Sequence, residues 1–145
     1  MKTLLSLTLT LLMSVAYAQT DTILDCAQAA NKKGMVYLKN FKTKLEPINS
    51  SRAGEEWLIV LNKGTKYRLY LCEKKSVKPE QVILTLFDDS HPESDPYATT
   101  SRKGHFYFEC NKTGTYHVSI RYKDGYGRDE VSAVGILLFV KKKEN

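Results

Sequence analysis

The sequence predicts an all-β protein: an antiparallel β-sandwich of about seven strands with one short N-terminal helix. Three observations carry this. Runs of alternating character, rich in aromatic and β-branched residues, recur along the chain and end in turns containing Gly, Asn or Pro. Helix-compatible sequence is confined to one short segment, too little to cover the face of a single wide sheet. Two sheets packed face to face would bury the alternating residues of each.

The chain has 145 residues. Met1-Lys2 is a short basic start, Leu4 to Val15 is an apolar run broken only by Ser and Thr, and Ala16-Tyr17-Ala18 supplies small residues before a cut. This pattern predicts a signal peptide over 1–18, cleaved before Gln19, with one domain over 19–145. No later apolar run is long enough to span a membrane, so the reading is an exported protein, periplasmic or extracellular and of bacterial type.

Thr22 to Lys32 reads as the short helix, ended by Lys32-Lys33-Gly34. A helix of this length needs tertiary contacts, and covering an edge or open end of a sheet would provide them. Met35 to Leu45 is the first strand. Val36 and Leu38 have the opposite parity to Phe41 and Leu45, which predicts a bulge near Lys39-Asn40. Trp57–Leu61, a turn at Asn62-Lys63-Gly64, and Lys66–Cys72 follow; Tyr67, Leu69 and Leu71 take one face of the latter, Lys66, Arg68 and Tyr70 the other. Glu73–Gln81 is a charged loop and Val82–Phe87 a central-looking strand. Asp88 to Arg102 is the longest irregular connection, the usual place for recognition.

His105–Cys110 and Thr115–Arg121 read as a hairpin around Asn111-Lys112-Thr113-Gly114. The alternation would set Cys110 opposite Tyr116, Phe108 opposite Val118 and Phe106 opposite Ile120. The outward face would then pair Glu109 with His117, Tyr107 with Ser119, and His105 with Arg121. Tyr122–Glu130 is a turn. Val131–Val140 is the last strand, apolar on both parities from Val134 onward, with Gly135 placed for a bend or a close approach of backbone.

Three segments resemble the pre-peptidase C-terminal domains of exported bacterial proteins. They are Trp57 to Leu71, Val82 to Asp88, and Phe106 to Ile120, where a Gly-x-Tyr element opens the return strand. The resemblance covers about residues 57–121. It implies a jelly-roll-like sandwich acting beside other exported proteins, and it implies no catalytic residue.

The net charge of +6 is modest and its lysines are scattered, apart from Lys141-Lys142-Lys143; with export, this excludes a nucleic-acid partner. No Gly-x-Ser-x-Gly element is present, and nothing places a nucleophile beside a base, so the chain reads as no enzyme. The three cysteines, Cys26, Cys72 and Cys110, allow one disulfide with three pairings, which the sequence leaves open. Asp88, Asp89, Glu93 and Asp95 offer calcium a set of hard oxygens in one loop. The binding-face candidates are Arg68, Tyr70, His105, Tyr107, Glu109, His117, Arg121 and Tyr126, because Tyr combines apolar area with a hydrogen-bonding tip.

These observations lead to a non-catalytic accessory or binding domain that recognises or stabilises another envelope or secreted protein. The alternatives are a carbohydrate-binding module using exposed tyrosines and a small secreted hydrolase. Coplanar rings beside polar groups would mark the first alternative. A pocket with a nucleophile beside His would mark the second.

Overall fold

The alternating runs become eight strands in a computed structural model that describes residues 26, 28, 30, 32–47, 54–73, 80–100 and 103–143. The strands are β1 (Met35–Leu45), β2 (Gly54–Leu61), β3 (Lys66–Glu73), β4 (Val82–Phe87), β5 (Ala98–Thr99), β6 (His105–Glu109), β7 (Gly114–Tyr122) and β8 (Val131–Val140). The proposed signal peptide lies outside the described residues. Of the expected helix, Cys26, Gln28 and Ala30 are helical, and the rest of Thr22–Asn31 lies outside the described residues. No helix among the described residues is long and apolar enough to cross a membrane. The strand not expected is β5, two residues inside the Asp88–Arg102 connection, paired to β4 through Thr85 and Leu86.

Two four-stranded antiparallel sheets form, in the orders β1-β8-β3-β6 and β2-β7-β4-β5. Between them lies the core, with Phe41, Leu69, Leu84, Leu86, Val118 and Ile120 at 1% exposure or less. The predicted bulge is present as a register shift between Tyr37 and Lys39.

The expected hairpin is not formed. β6 pairs with β3, and β7 pairs with β2 and β4 in the other sheet. The Cys110–Thr113 segment is therefore a corner between sheets. Alternation identifies the dry side of each strand, but it does not identify the neighbouring strand. The inward assignment still holds, because both inward sides meet the same core. Val118 and Ile120 are fully buried there, and Phe106 and Phe108 are half-buried against it. The corner is tied to the β2–β3 turn. Gly64 N–H donates to the Cys110 carbonyl (2.8 Å), Cys110 N–H to that of Thr65 (3.0 Å), and Lys63 N–H to Thr113 Oγ1 (2.8 Å). From below, the Tyr116 hydroxyl donates to the Lys112 carbonyl at 2.7 Å.

Apolar residues on both parities of β8 have a simple cause: both faces of this strand are covered. Val131, Ala133 and Leu137 face the inter-sheet core. Val134, Ile136 and Leu138 face outward into a second cluster with Ala30 and Cys72, bordered by Cys26 and Met35. The helical residues Cys26 and Ala30 thus form a lid on the outer face of the first sheet. A disulfide joins Cys26 to Cys72 with Cα atoms 6.0 Å apart, and Cys110 is the free, buried thiol. Gly135 is the close approach expected of it. A Cβ there would come within 2.6 Å of Leu84 Cδ1 and 3.2 Å of Phe41 Cδ2.

Candidate binding surface

The outward parity of β3 and β6 brings five of the eight candidate side chains together. The register sets Lys66 opposite Glu109, Arg68 opposite Tyr107 and Tyr70 opposite His105. Each cross-strand pair makes a contact. Lys66 reaches Glu109 at 3.8 Å and lies 5.1 Å from the Tyr107 ring centre. The Arg68 guanidinium lies 4.9 Å from the Tyr70 ring and 5.7 Å from the Tyr107 ring. Tyr70 and His105 stack at 5.7 Å with planes 5° apart. The result is a ladder of alternating rings and cations, with Tyr107 45% exposed at its centre.

Arg68 does not present itself to solvent, contrary to its place among the binding-face candidates: it is 1% exposed. Its parity is outward as expected, but the N-terminal lid lies over it. One terminal nitrogen donates to the Ala30 carbonyl at 3.0 Å and contacts Met35 Sδ at 3.8 Å. Arg68 therefore stiffens the ladder from beneath, and Tyr70, His105, Tyr107, Glu109 and Lys66 form its accessible part.

His117 and Arg121 belong to a different surface, the outer face of the second sheet, because β7 is not the partner of β6. There His117 stacks on Phe87 at 4.9 Å and hydrogen-bonds Glu56. Arg121 Nε and Ser119 Oγ both donate to Glu93 Oε1, at 3.1 and 2.6 Å. Tyr126 lies in the β7–β8 turn and is 39% exposed. The outward pairs expected from the hairpin (Glu109 with His117, Tyr107 with Ser119, His105 with Arg121) are thus not formed.

The acidic loop is organised by internal hydrogen bonds. Asp88 accepts from the Ser90 and His91 amides at 2.9 and 2.8 Å and from the Tyr97 hydroxyl at 2.9 Å. Glu93 is turned toward Ser119 and Arg121. The four carboxylates proposed for calcium, those of Asp88, Asp89, Glu93 and Asp95, do not converge, and among the described residues no group of three or more His, Cys, Asp or Glu is spaced to hold a metal ion. Burial pushes the Tyr97 hydroxyl up to about 12, helped by its bond to Asp88. Burial works to raise Asp88 too, but the His91 amide, the Tyr97 hydroxyl and the Ser90 amide outweigh it, so its carboxyl sits below the ordinary 3.8.

A depressed carboxyl stabilises the loop above its ordinary value, and that contribution is lost as the pH falls through the folded-state value. Melting temperatures taken from about pH 6 to about pH 2 should therefore show an acid-side fall that Asp88→Asn makes shallower. Parallel curves for the two proteins would show that the loop bonds add nothing.

Two depressions open near the corner. One, of about 420 Å³, is lined by Lys63, Lys66, Lys141 and Lys142 around Phe139 and Val140. The other, of about 110 Å³, is lined by Asp88, Asp89, Ser90, Lys112, Thr115 and Tyr116. Neither brings a His beside a Ser or Cys. Sequence reading missed Lys66 as part of the ladder, and the signal was present: it shares the parity of Arg68 and Tyr70.

No protein-family model matches the chain, and no curated protein sequence matches it. The fold is similar to the crystal structure of a periplasmic inhibitor of g-type lysozyme from Aeromonas hydrophila. The TM-score is 0.57 at 11% identity, over 75% of this chain and 90% of that one. At that identity the likeness shows a shared β-sandwich fold.

Proposed function

We propose that the chain is an exported, non-catalytic protein that recognises another envelope or secreted protein through the outer face of β3 and β6. The ring-and-cation ladder is the observation that carries this reading. It offers Tyr107, Tyr70 and His105 on a rigid, buried guanidinium support, and rigid aromatic anchors beside charges are what protein interfaces favour. The lysozyme-inhibitor fold likeness supports a protein partner and an envelope location, and makes a cell-wall hydrolase the first partner to try. The strand orders 1-8-3-6 over 2-7-4-5 support the jelly-roll-like form that the resemblance to pre-peptidase C-terminal domains implies.

Ring geometry disfavours the carbohydrate alternative. His105 is parallel to Tyr70 but meets Tyr107 at 90°, so Tyr70 and Tyr107 stand nearly perpendicular and make no flat platform for a sugar. Tyr126 sits on a separate turn.

Crosslinked capture from the native envelope, with a g-type lysozyme added as a defined probe in parallel, tests the reading. Tyr107→Ala removes an exposed ring without opening the core, so its melting temperature should stay close to wild type while capture falls by at least about tenfold. Because His117 and Arg121 lie on the other sheet, Arg121→Ala should leave capture unchanged and serves as the control. Equal capture by wild type and Tyr107→Ala, or retention on glycans in place of protein, would refute the proposed face.

A further inference from the structure

We propose that β2 is a self-docking edge through which two copies of this chain join their second sheets into one continuous eight-stranded sheet. Four strands lie at the margins of the two sheets: β1 and β6 in the first, β2 and β5 in the second. An unpaired strand edge invites another strand, and proteins ordinarily guard it. β1 is guarded by its bulge and by exposed Lys39, Lys42 and Lys44. β5 and β6 are guarded by shortness, at 2 and 5 residues.

β2 has none of these defences. It runs 8 residues and pairs with β7 in unbroken register. It holds no lysine, no proline and no bulge. Its outward side chains include Leu58 at 60% exposure and Val60 at 67%, the two most exposed large apolar residues among those described. The charges of this region sit at its ends, with Glu55 and Glu56 at the start and Lys63 just past the finish.

The occupant follows from self-complementarity. In an antiparallel pair, directly opposed residues share a face, so a twofold axis must pass through a residue position to keep outward side chains outward. With the axis at Ile59, Leu58 of each copy lies against Val60 of the other, twice over. The same register brings Glu55 of each copy alongside Lys63 of the other. Moving the axis one residue in either direction loses this match: it sets Val60 against Glu56, or Leu58 against Asn62. One register thus matches apolar with apolar and acid with base together, the signature of an isologous contact. This edge adjoins β1, whereas the β3–β6 ladder lies toward the opposite side of the sandwich, so the dimer leaves the ladder free.

Sedimentation equilibrium on the purified protein should show a concentration-dependent monomer–dimer equilibrium. Val60→Lys places a charge on an exposed position, so the melting curve should hold while the dimer dissociation constant rises by at least about tenfold. Register is read separately. Under oxidation, Leu58→Cys mixed with Val60→Cys should give a covalent dimer, and neither alone should link comparably, because residue 58 faces 60 across the axis. A chain that stays monomeric at millimolar concentration overturns the proposal. So does a dimer indifferent to Val60→Lys, or single-cysteine variants that link as well as the mixture.

Discussion

Replacing Cys26 and Cys72 together by Ser should lower the unfolding free energy by about 4 kcal/mol, measured by urea denaturation. The bond closes a sequence separation of 46 residues, and the loop-closure relation applied to that length gives about this figure. Packing acts in the same direction. The disulfide holds the helical residues over β8 and β3, where Val134, Ile136 and Leu138 are kept from water on the outer face of the sheet. Without it, the helical residues must stay docked by packing alone, which short helical segments do poorly. The variant should therefore bind more of a hydrophobic dye before its main unfolding transition. Cys110 provides an internal check. It is buried, and its thiol donates to the Lys112 carbonyl at 3.1 Å. Native wild-type protein should thus react slowly with thiol reagents and release one thiol per chain on denaturation. A loss below about 1 kcal/mol would mean that the lid holds its place without the link.

The lid also marks where the sequence stopped being legible. Strand positions were readable because alternation is local: β1, β4 and β8 begin and end where the pattern places them. The inward sides of β6 and β7 were readable for the same reason. Their pairing was not, since a four-residue corner and a four-residue hairpin loop look alike. What separates them is Cys110 and Thr113 tying the corner to the β2–β3 turn, contacts across about fifty residues of chain. The disulfide posed the same problem. Cys72 takes the outward parity of β3, which ordinarily means solvent, and only Cys26 and Ala30 packed over that face turn it into an interior position.

The candidate surface divides along the same line. Parity put the residues of β3 and β6 on outward sides, and the register of these two strands then brings those sides together. His117 and Arg121 were added on the strength of the hairpin and left with it. Leu58 and Val60, the most exposed large apolar side chains among the described residues, looked like ordinary strand material. Their shared parity puts them on one face of β2 but carries no information that β2 ends its sheet.

Arg68 was the residue whose parity was right and whose environment was wrong, and its removal should produce the other large effect. Arg68→Ala should cost about 3 kcal/mol. The side chain is 1% exposed, its stem fills space under the lid, and its terminal nitrogen bonds the Ala30 carbonyl across 38 residues of chain. Truncation leaves a cavity, takes from that carbonyl one of its two donors (the Lys32 amide, at 3.1 Å, remains) and removes the cation between Tyr70 and Tyr107. The charge itself is another matter. No described carboxylate forms an ion pair with Arg68, and its Nε has no hydrogen-bond partner among the described residues. A buried cation held by one carbonyl and two ring faces recovers only part of its lost hydration. Arg68→Met keeps most of the stem volume and drops the desolvation cost, so it should lose no more than about 1 kcal/mol. A methionine variant as damaged as the alanine variant would show that the guanidinium, and not the packing, holds the lid. Coupling separates the two contributions further. If Arg68 acts by fastening the lid, Arg68→Ala should cost at least about 1 kcal/mol less in the disulfide-free background, because the lid is already loosened there. Strict additivity would mean that Arg68 stabilises the β3–β6 ladder independently of the segment above it.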